Sequence, residues 1–216
     1  MNIELQIKQL LVGAGLWYPL NLFRRIPRTL HWIRSGCTGD APHPIKMIMV
    51  SSYLNRYSIN DFVETGTFRG DTLGYIASRG VRCTSIELSE VLYNAACSRF
   101  KAFKNVRLVQ GDSGQRIPEL LKEINYPVLF WLDGHYSSGI TASAEVQTPV
   151  SAELQAILDH PVKKHVILID DARSFDGNND YPYLDELLRV IREEGSYSVE
   201  VSADIIRIVP HKKPTV

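Results

Sequence analysis

The chain has 216 residues, with 24 Lys and Arg against 24 Asp and Glu, so its formal charge is zero; a balanced charge leaves no electrostatic footprint for a nucleic-acid partner. That length supports a single large α/β core and is short for two domains of ordinary size. Three cysteines, Cys37, Cys83 and Cys97, are odd in number and lack metal-ligand spacing, which argues against a disulfide framework and for a reduced, cytoplasmic protein.

The amino-terminal segment carries no acid between Glu4 and Asp40, yet Lys8, Arg24, Arg25, Arg28 and Arg34 fall there, among Leu10, Leu11, Trp17, Phe23 and Trp32. Gly13, Gly15 and Pro19 interrupt the apolar stretch, which is too short to span a bilayer. A basic region followed by a clear cleavage site is also missing, which argues against a secretory signal. Basic residues interleaved with Trp and Leu suit peripheral contact of residues 1–34 with anionic lipid. They equally suit a helical cap on the domain or a contact in a homo-oligomer. Residues 35–44, with Gly36, Gly39, Pro42 and Pro44, read as a linker. The expected division is therefore a segment over 1–44 and one domain over 45–216.

Asp61-Phe62-Val63-Glu64-Thr65-Gly66-Thr67-Phe68-Arg69-Gly70-Asp71-Thr72 reads as a buried strand, a glycine turn and the start of a helix. Such a turn lets backbone N–H groups at a helix N-terminus close around a polar ligand. Its pattern is Glu-x-Gly-x-x-x-Gly, and a carboxylate there repels a pyrophosphate but suits a zwitterionic or cationic ligand. On its own the motif is equally a structural strand-to-helix turn.

Four further apolar runs succeed it. Cys83 to Leu88 ends at Glu87, where a doubly wound sheet places a ribose-binding carboxylate. Val106 to Ser113 ends in Gly111-Asp112-Ser113, Val128 to His135 in Asp133-Gly134-His135, and His165 to Asp171 in Asp170-Asp171. Continuous apolar runs imply a parallel sheet covered on both faces, and acids at the carboxyl ends fall where such sheets bind ligands.

The intervening segments carry helical patterns. Asp71–Arg79 precedes Gly80, and Val91–Phe103 sets Leu92, Ala96, Phe100 and Phe103 on one side. Thr148 and Pro149 read as an N-cap and a first-turn proline opening a helix toward Asp159. Tyr181-Pro182 opens another that Gly195 can end. Tyr197–Val201 and Ile205–Val209 are β-rich and separated only by Ser202-Ala203-Asp204, a connection that demands an antiparallel pair. The predicted fold is α/β and Rossmann-like: a mostly parallel seven-stranded sheet with an antiparallel C-terminal hairpin and helices on both faces. The alternative is a plain nucleotide-binding domain whose last strand also runs parallel.

Asp133, Asp170 and Asp171 are expected together if the fourth and fifth strands are neighbours, about 5 Å apart. Crowded carboxylates repel unless a cation neutralises them, and oxygen-only ligands suit Mg²⁺, Mn²⁺ or Ca²⁺. In the other reading Asp171 caps a loop and Asp133 contacts only the cofactor.

Across residues 45–210 the chain resembles class I S-adenosylmethionine-dependent O-methyltransferases, and within them the metal-assisted catechol and macrolide-sugar group. Glu64, Gly66, Phe68, Gly70 and Thr72 match the catechol family's first motif, with Thr72 in place of Ser. The combination of Leu-Asp-Gly-His-Tyr, Thr-Pro-x-x-x-Glu-Leu and Ile-Asp-Asp-Ala-Arg is also similar to uncharacterised methyltransferase-like proteins of bacterial surface-polysaccharide loci. The resemblance implies a cofactor site of Glu64, Thr65, Gly66, Thr67, Gly70 and Thr72 at the methionine end. It implies Glu87 and Leu88 at the ribose, Asp112 and Ser113 beside the adenine, and Asp133 in the central cleft. It further implies a divalent metal, most naturally Mg²⁺, on Asp133, Asp170 and Asp171. The catechol family's lysine base, three residues after its metal-binding Asp, is here Tyr136. His135 is the substitute: a neutral imidazole can take a hydroxyl proton, although a His beside a glycine is also often a structural hydrogen-bonder. Asp133 and His135 are thus the catalytic candidates, and Tyr136, Arg173 and the loop 174–180 face the acceptor.

The expected activity is O-methylation of a sugar hydroxyl in a glycan or glycolipid intermediate. The alternatives are a metal-independent methyltransferase of a small phenolic or lipid acceptor, and a non-catalytic cofactor-binding subunit.

Overall fold

The structure, a computed structural model, describes residues 26–133 and 148–211. Two helices come first, α1 (Ile26–Arg34) and α2 (His43–Arg56). Strands and helices then alternate: β1 (Asp61–Thr65), α3 (Asp71–Ala77), β2 (Arg82–Glu87), α4 (Glu90–Phe100), β3 (Val106–Gln110), α5 (Ser113–Leu121), β4 (Leu129–Leu132), α6 (Val150–Asp159) and β5 (Val166–Ile169). The chain continues through a 3-10 turn (Ala172–Ser174) and α7 (Leu184–Glu194) to a hairpin of β6 (Tyr197–Ser202) and β7 (Ile205–Pro210).

The strands form one sheet in the order β3-β2-β1-β4-β5-β7-β6. β1 to β5 pair in parallel, and β7 runs antiparallel to both β5 and β6. The mixed sheet and closing hairpin expected from the sequence are present. β1 sits between β2 and β4, so the order of strands reverses there, and a crevice at the carboxyl ends of β1 and β4 is where open α/β sheets bind ligands. Register keeps those ends level: Thr65 is opposite both Ile86 and Leu132, and Leu132 is opposite Ile169.

Alternation along each strand builds the two faces. Phe62, Leu129, Trp131, Val166 and Leu168 meet Val50 and Leu54 of α2, Leu73 and Ile76 of α3, and Phe100 of α4. Val63, Phe130, Leu132, Ile167 and Ile169 meet Ile117 of α5, Leu154 and Ile157 of α6, and Ile191 of α7. Each such side chain contributes about 1.5–3 kcal/mol on burial, so the central strands rigidly support the loops at their carboxyl ends.

Three local features differ from the sequence reading. The sequence reading assigns no element to 43–56, where Ile45, Met47, Ile48, Met49 and Val50 form an almost unbroken apolar run; packed on the sheet, the segment is a helix. Residues 40–44 are not a free linker: Ala41, Pro42 and Pro44 are buried, and His43 and Pro44 form the first turn of α2. α7 starts at Leu184 and not at Pro182, since Tyr183 pairs with Asp176 and the Leu184 N–H donates to Phe175 O at 3.0 Å.

α1 buries none of its residues and leaves Ile26, Leu30 and Ile33 at 40%, 46% and 49% exposure. No described helix is long and apolar enough to cross a membrane.

Candidate functional site

The site is built on the carboxyl ends of β1, β2, β4 and β5. Glu64, near the end of β1, is buried, and Ser85 Oγ of β2 donates to its Oε1 at 2.7 Å. Thr67 Oγ1 lies 2.6 Å from the same Ser85 hydroxyl, so the turn after β1 is tied to the strand beside it. Burial, and then the nearby Asp133 and Glu87 charges, push the Glu64 carboxyl up to about 8.

After β1 the chain turns through three left-handed residues, Gly66 (φ 81°), Phe68 (φ 47°) and Gly70 (φ 67°). Left-handed backbone costs a bulky side chain about 1–3 kcal/mol, and Phe68 is held there by donating its N–H to Glu87 Oε2 at 2.8 Å. Glu87, buried at the end of β2, also accepts from Ser89 N at 2.9 Å through Oε1. Each carboxylate oxygen keeps a second lone pair for a ligand hydroxyl. Leu88 comes next, and its carbonyl accepts from Gln110 Nε2 at 3.2 Å. Gly70 precedes α3, and a Cβ there would lie 2.6 Å from Phe100 Cε2, so no side chain fits. Thr72 Oγ1, in the first turn of α3, lies 3.1 Å from His43 Nε2.

Asp112 caps α5 by accepting from Gly114 N at 2.8 Å. The next residue, Ser113, is buried, and the buried Glu153 carboxyl interacts with it and with Thr65 at the end of β1. Burial drives the Glu153 carboxyl up to about 7. Sequence reasoning missed Glu153 as a site support, although an acid on the apolar face made by Val150, Leu154 and Ile157 signals a buried hydrogen-bonding partner.

Asp133 comes directly after β4, where its N–H donates to Thr65 Oγ1 at 3.3 Å. Its side chain and that of Asp170 line a small cavity with Leu132, Thr148, Ile169 and Tyr181. Tyr181, read from the sequence as a helix start, is thus a cavity wall; burial pushes its phenol up to about 12. Burial first, and then Asp133, raise the Asp170 carboxyl, and Lys46 acts against both. Asp171 adopts a left-handed conformation (φ 54°) and its N–H donates to Asp170 Oδ1 at 2.9 Å. His135 and Tyr136 lie outside the described residues.

The acids after β5 meet cations of the chain itself. Lys46 Nζ lies 2.7 Å from Asp170 Oδ2, 2.9 Å from Asp40 Oδ1 and 3.7 Å from Asp171 Oδ1. Burial favours a neutral amine, but Asp170, Asp40 and Asp171 outweigh it and hold Lys46 above the usual lysine range. Arg173, expected to face the acceptor, lies 3.0 Å from Asp171 Oδ1 and pairs with Asp204, which also accepts its backbone N–H at 2.9 Å. Sequence reasoning missed Lys46, yet it stands alone as a charge in the apolar run from Pro44 to Leu54. A lone lysine in such a run has to find a buried anion.

The residues fit the cofactor that the sequence suggests. Asp133 and Glu87 act on the Glu64 carboxyl as neighbouring charges, and a ligand with a positive sulfonium and ammonium suits a crevice of that sign. The divalent metal fits less well. Among the described residues, the carboxylates whose oxygens converge within 4.8 Å are Asp40, Asp171 and Asp204, and Lys46 and Arg173 already pair with them. Asp170 is likewise engaged by Lys46.

No protein-family model matches the chain, and no curated protein matches it in sequence. Solved structures match it in shape. An O-methyltransferase from Bacillus cereus, solved with SAH, is 16% identical, with a TM-score of 0.57, over 87% of this chain and 90% of that one. TomG from Streptomyces achromogenes, an O-methyltransferase of tomaymycin synthesis solved with SAM, is 14% identical, with a TM-score of 0.58, over 79% and 82%. The SAH-bound Podospora anserina methyltransferase PaMTH1 is 16% identical, with a TM-score of 0.54, over 86% and 87%. The chain has the Rossmann-like class I methyltransferase fold. At such identities the likeness is one of fold, and the chemistry is argued from the site itself.

Proposed function

We propose that this protein is an S-adenosylmethionine-dependent O-methyltransferase acting on a hydroxyl of a sugar, in a glycan or glycolipid intermediate. The observation that carries the reading is the row of acids Glu64, Glu87 and Asp133 at level strand ends, beside a left-handed turn opening α3. S-adenosylmethionine supplies a methyl carbon made electrophilic by its positive sulfur. The acceptor oxygen forms its bond to that carbon as the carbon–sulfur bond breaks; sulfur keeps the electron pair, and the hydroxyl proton passes to a base. The chain contributes alignment of oxygen, carbon and sulfur. Glu87 would offer lone pairs to two ribose hydroxyls, the 66–70 backbone would hold the methionine end, and Asp133 would border the cleft between them and the acids after β5. His135 remains the proposed proton acceptor.

A hydroxylated acceptor is favoured by Asp133, Thr148, Asp170 and Tyr181 gathering around the carboxyl ends of β4 and β5, since such groups pair with hydroxyls. Lys46 favours the metal-independent form of the reaction over the divalent-metal form, because it already neutralises Asp170. We further propose that residues 1–34 give peripheral contact with the cytoplasmic membrane face. The outward Ile26, Leu30 and Ile33 beside Arg28 and Arg34 support this.

Titration calorimetry with S-adenosylhomocysteine tests the reading. One molecule bound per chain is the expected result; binding of NAD with S-adenosylhomocysteine ignored would overturn it.

A further inference from the structure

We propose that the Lys46 ammonium is the built-in counter-ion of the acids after β5, filling the cation position beside Asp170 and Asp171 so that the site needs no bound metal. The inference rests on the methyl-transfer reading of this crevice and narrows it to metal-independent transfer.

Lys46 reaches the site from α2, whose Met47, Val50 and Leu54 are buried, so its backbone is anchored. Its side chain is 14% exposed. An ammonium carries three N–H donors, and three carboxylates surround this one: Asp170 at 2.7 Å, Asp40 at 2.9 Å and Asp171 at 3.7 Å. A divalent ion sits about 2.0–2.6 Å from its carboxylate oxygens. An ion shared by Asp170 and Asp171 would therefore lie beside Nζ, like charge against like. Arg173 also stands 3.0 Å from the same Oδ1, so two cations of the chain crowd that oxygen.

Charge counting agrees. Asp40, Asp170, Asp171 and Asp204 face Lys46, Arg173 and Arg28, the last 3.3 Å from Asp40. With Asp133, which raises Asp170 as a neighbouring charge, five acids meet three bases, so the chain's own cations offset most of the negative charge. Lys46 acts through Asp170, which lines the cavity, and is a positioning residue. The same helix sets His43 against Thr72, so α2 orders both the cofactor end and the acceptor end of the crevice.

The test is Mn²⁺ binding to the full-length protein, followed by electron paramagnetic resonance of free Mn²⁺. Wild type should show no Mn²⁺ binding that depends on Asp170. Lys46→Gln should gain one Mn²⁺ per chain, tighter by about a hundredfold or more, because a like charge next to the ion is gone. Adding Asp170→Asn to Lys46→Gln should abolish the gain, and Lys46→Arg should show none. Wild-type binding that Asp170→Asn removes would overturn the proposal, as would a folded Lys46→Gln protein that gains no site. If Lys46→Gln does not fold, the comparison of wild type with Asp170→Asn decides alone. Calorimetry with S-adenosylhomocysteine on the same samples separates the two claims. Loss of that binding in wild type sinks the methyl-transfer reading, whereas the Mn²⁺ result bears only on Lys46.

Discussion

Ser85 Oγ donates to Glu64 Oε1 at 2.7 Å, joining the ends of two parallel strands inside the candidate cofactor site. Burial, then Asp133 and Glu87, raise the Glu64 carboxyl from its usual 4.5 to about 8. A raised folded value means that the folded state binds more protons. The stabilisation is therefore full below about pH 4.5 and is lost as pH rises through about 8. Glu64→Gln keeps the acceptor for Ser85 without the charge. Its melting temperature should fall less than that of wild type between pH 5 and 8.5 in thermal scans. Glu153, raised to about 7, adds a second slope of the same sign that this variant leaves in place.

Glu87 holds the Phe68 and Ser89 N–H groups while facing the crevice. Glu87→Ala should weaken S-adenosylhomocysteine binding by about 1–3 kcal/mol, the scale of a hydrogen bond to a charged group. Glu87→Gln should lose less, since one oxygen remains an acceptor. Calorimetry that finds equal affinity in all three proteins would remove Glu87 from ribose recognition.

Gly70 has φ 67°, and a Cβ there would meet the Phe100 ring at 2.6 Å. Gly70→Ala combines left-handed strain with overpacking, at about 2–4 kcal/mol together. Its urea midpoint should drop with the slope unchanged. An unmoved midpoint would mean that the ring yields freely.

At the opposite end of the sheet, His160 Nδ1 and His165 Nε2 lie 2.9 Å apart, and Val128 N donates to His165 Nδ1 at 3.2 Å. Burial, then His160, depress His165 from 6.5 to about 4. A depressed folded value gives stability that is present above pH 6.5 and lost as pH falls through about 4. The His165 ring protons should stay in their neutral positions by NMR down to about pH 4. His165→Asn, which keeps an acceptor for Val128, should shift acid unfolding to lower pH.

The amino-terminal proposal is checked by sedimentation with vesicles. Full-length protein should pellet with anionic vesicles at low salt and be released as salt rises. Protein lacking residues 1–25 and carrying Ile26→Ser, Leu30→Ser and Ile33→Ser should stay in solution yet bind S-adenosylhomocysteine normally. Equal pelleting of the two would assign those residues a structural role.

Much of the fold was legible along the chain because its signals are local. An apolar run such as Val166–Ile169 must be covered on both faces wherever it lies, and the link of Ser202-Ala203-Asp204 permits only an antiparallel pair. Gly66 and Gly70 mark a turn, and the acids Glu64, Glu87, Asp133 and Asp170 mark strand ends that a parallel sheet must bring level. Helix α2 was not legible: its apolar residues form an almost unbroken run, and only contact with Phe62 and Leu129 through Val50 and Leu54 makes one face of them. The partners of the acids were not legible either. Lys46 meets Asp170 across 124 positions and Glu153 meets Thr65 between separate elements. Pairing of single charged or polar side chains over such distances leaves no periodic trace in the sequence. It is decided by strand order, register and the cost of burying a charge alone, all of which exist only once the chain has closed on itself.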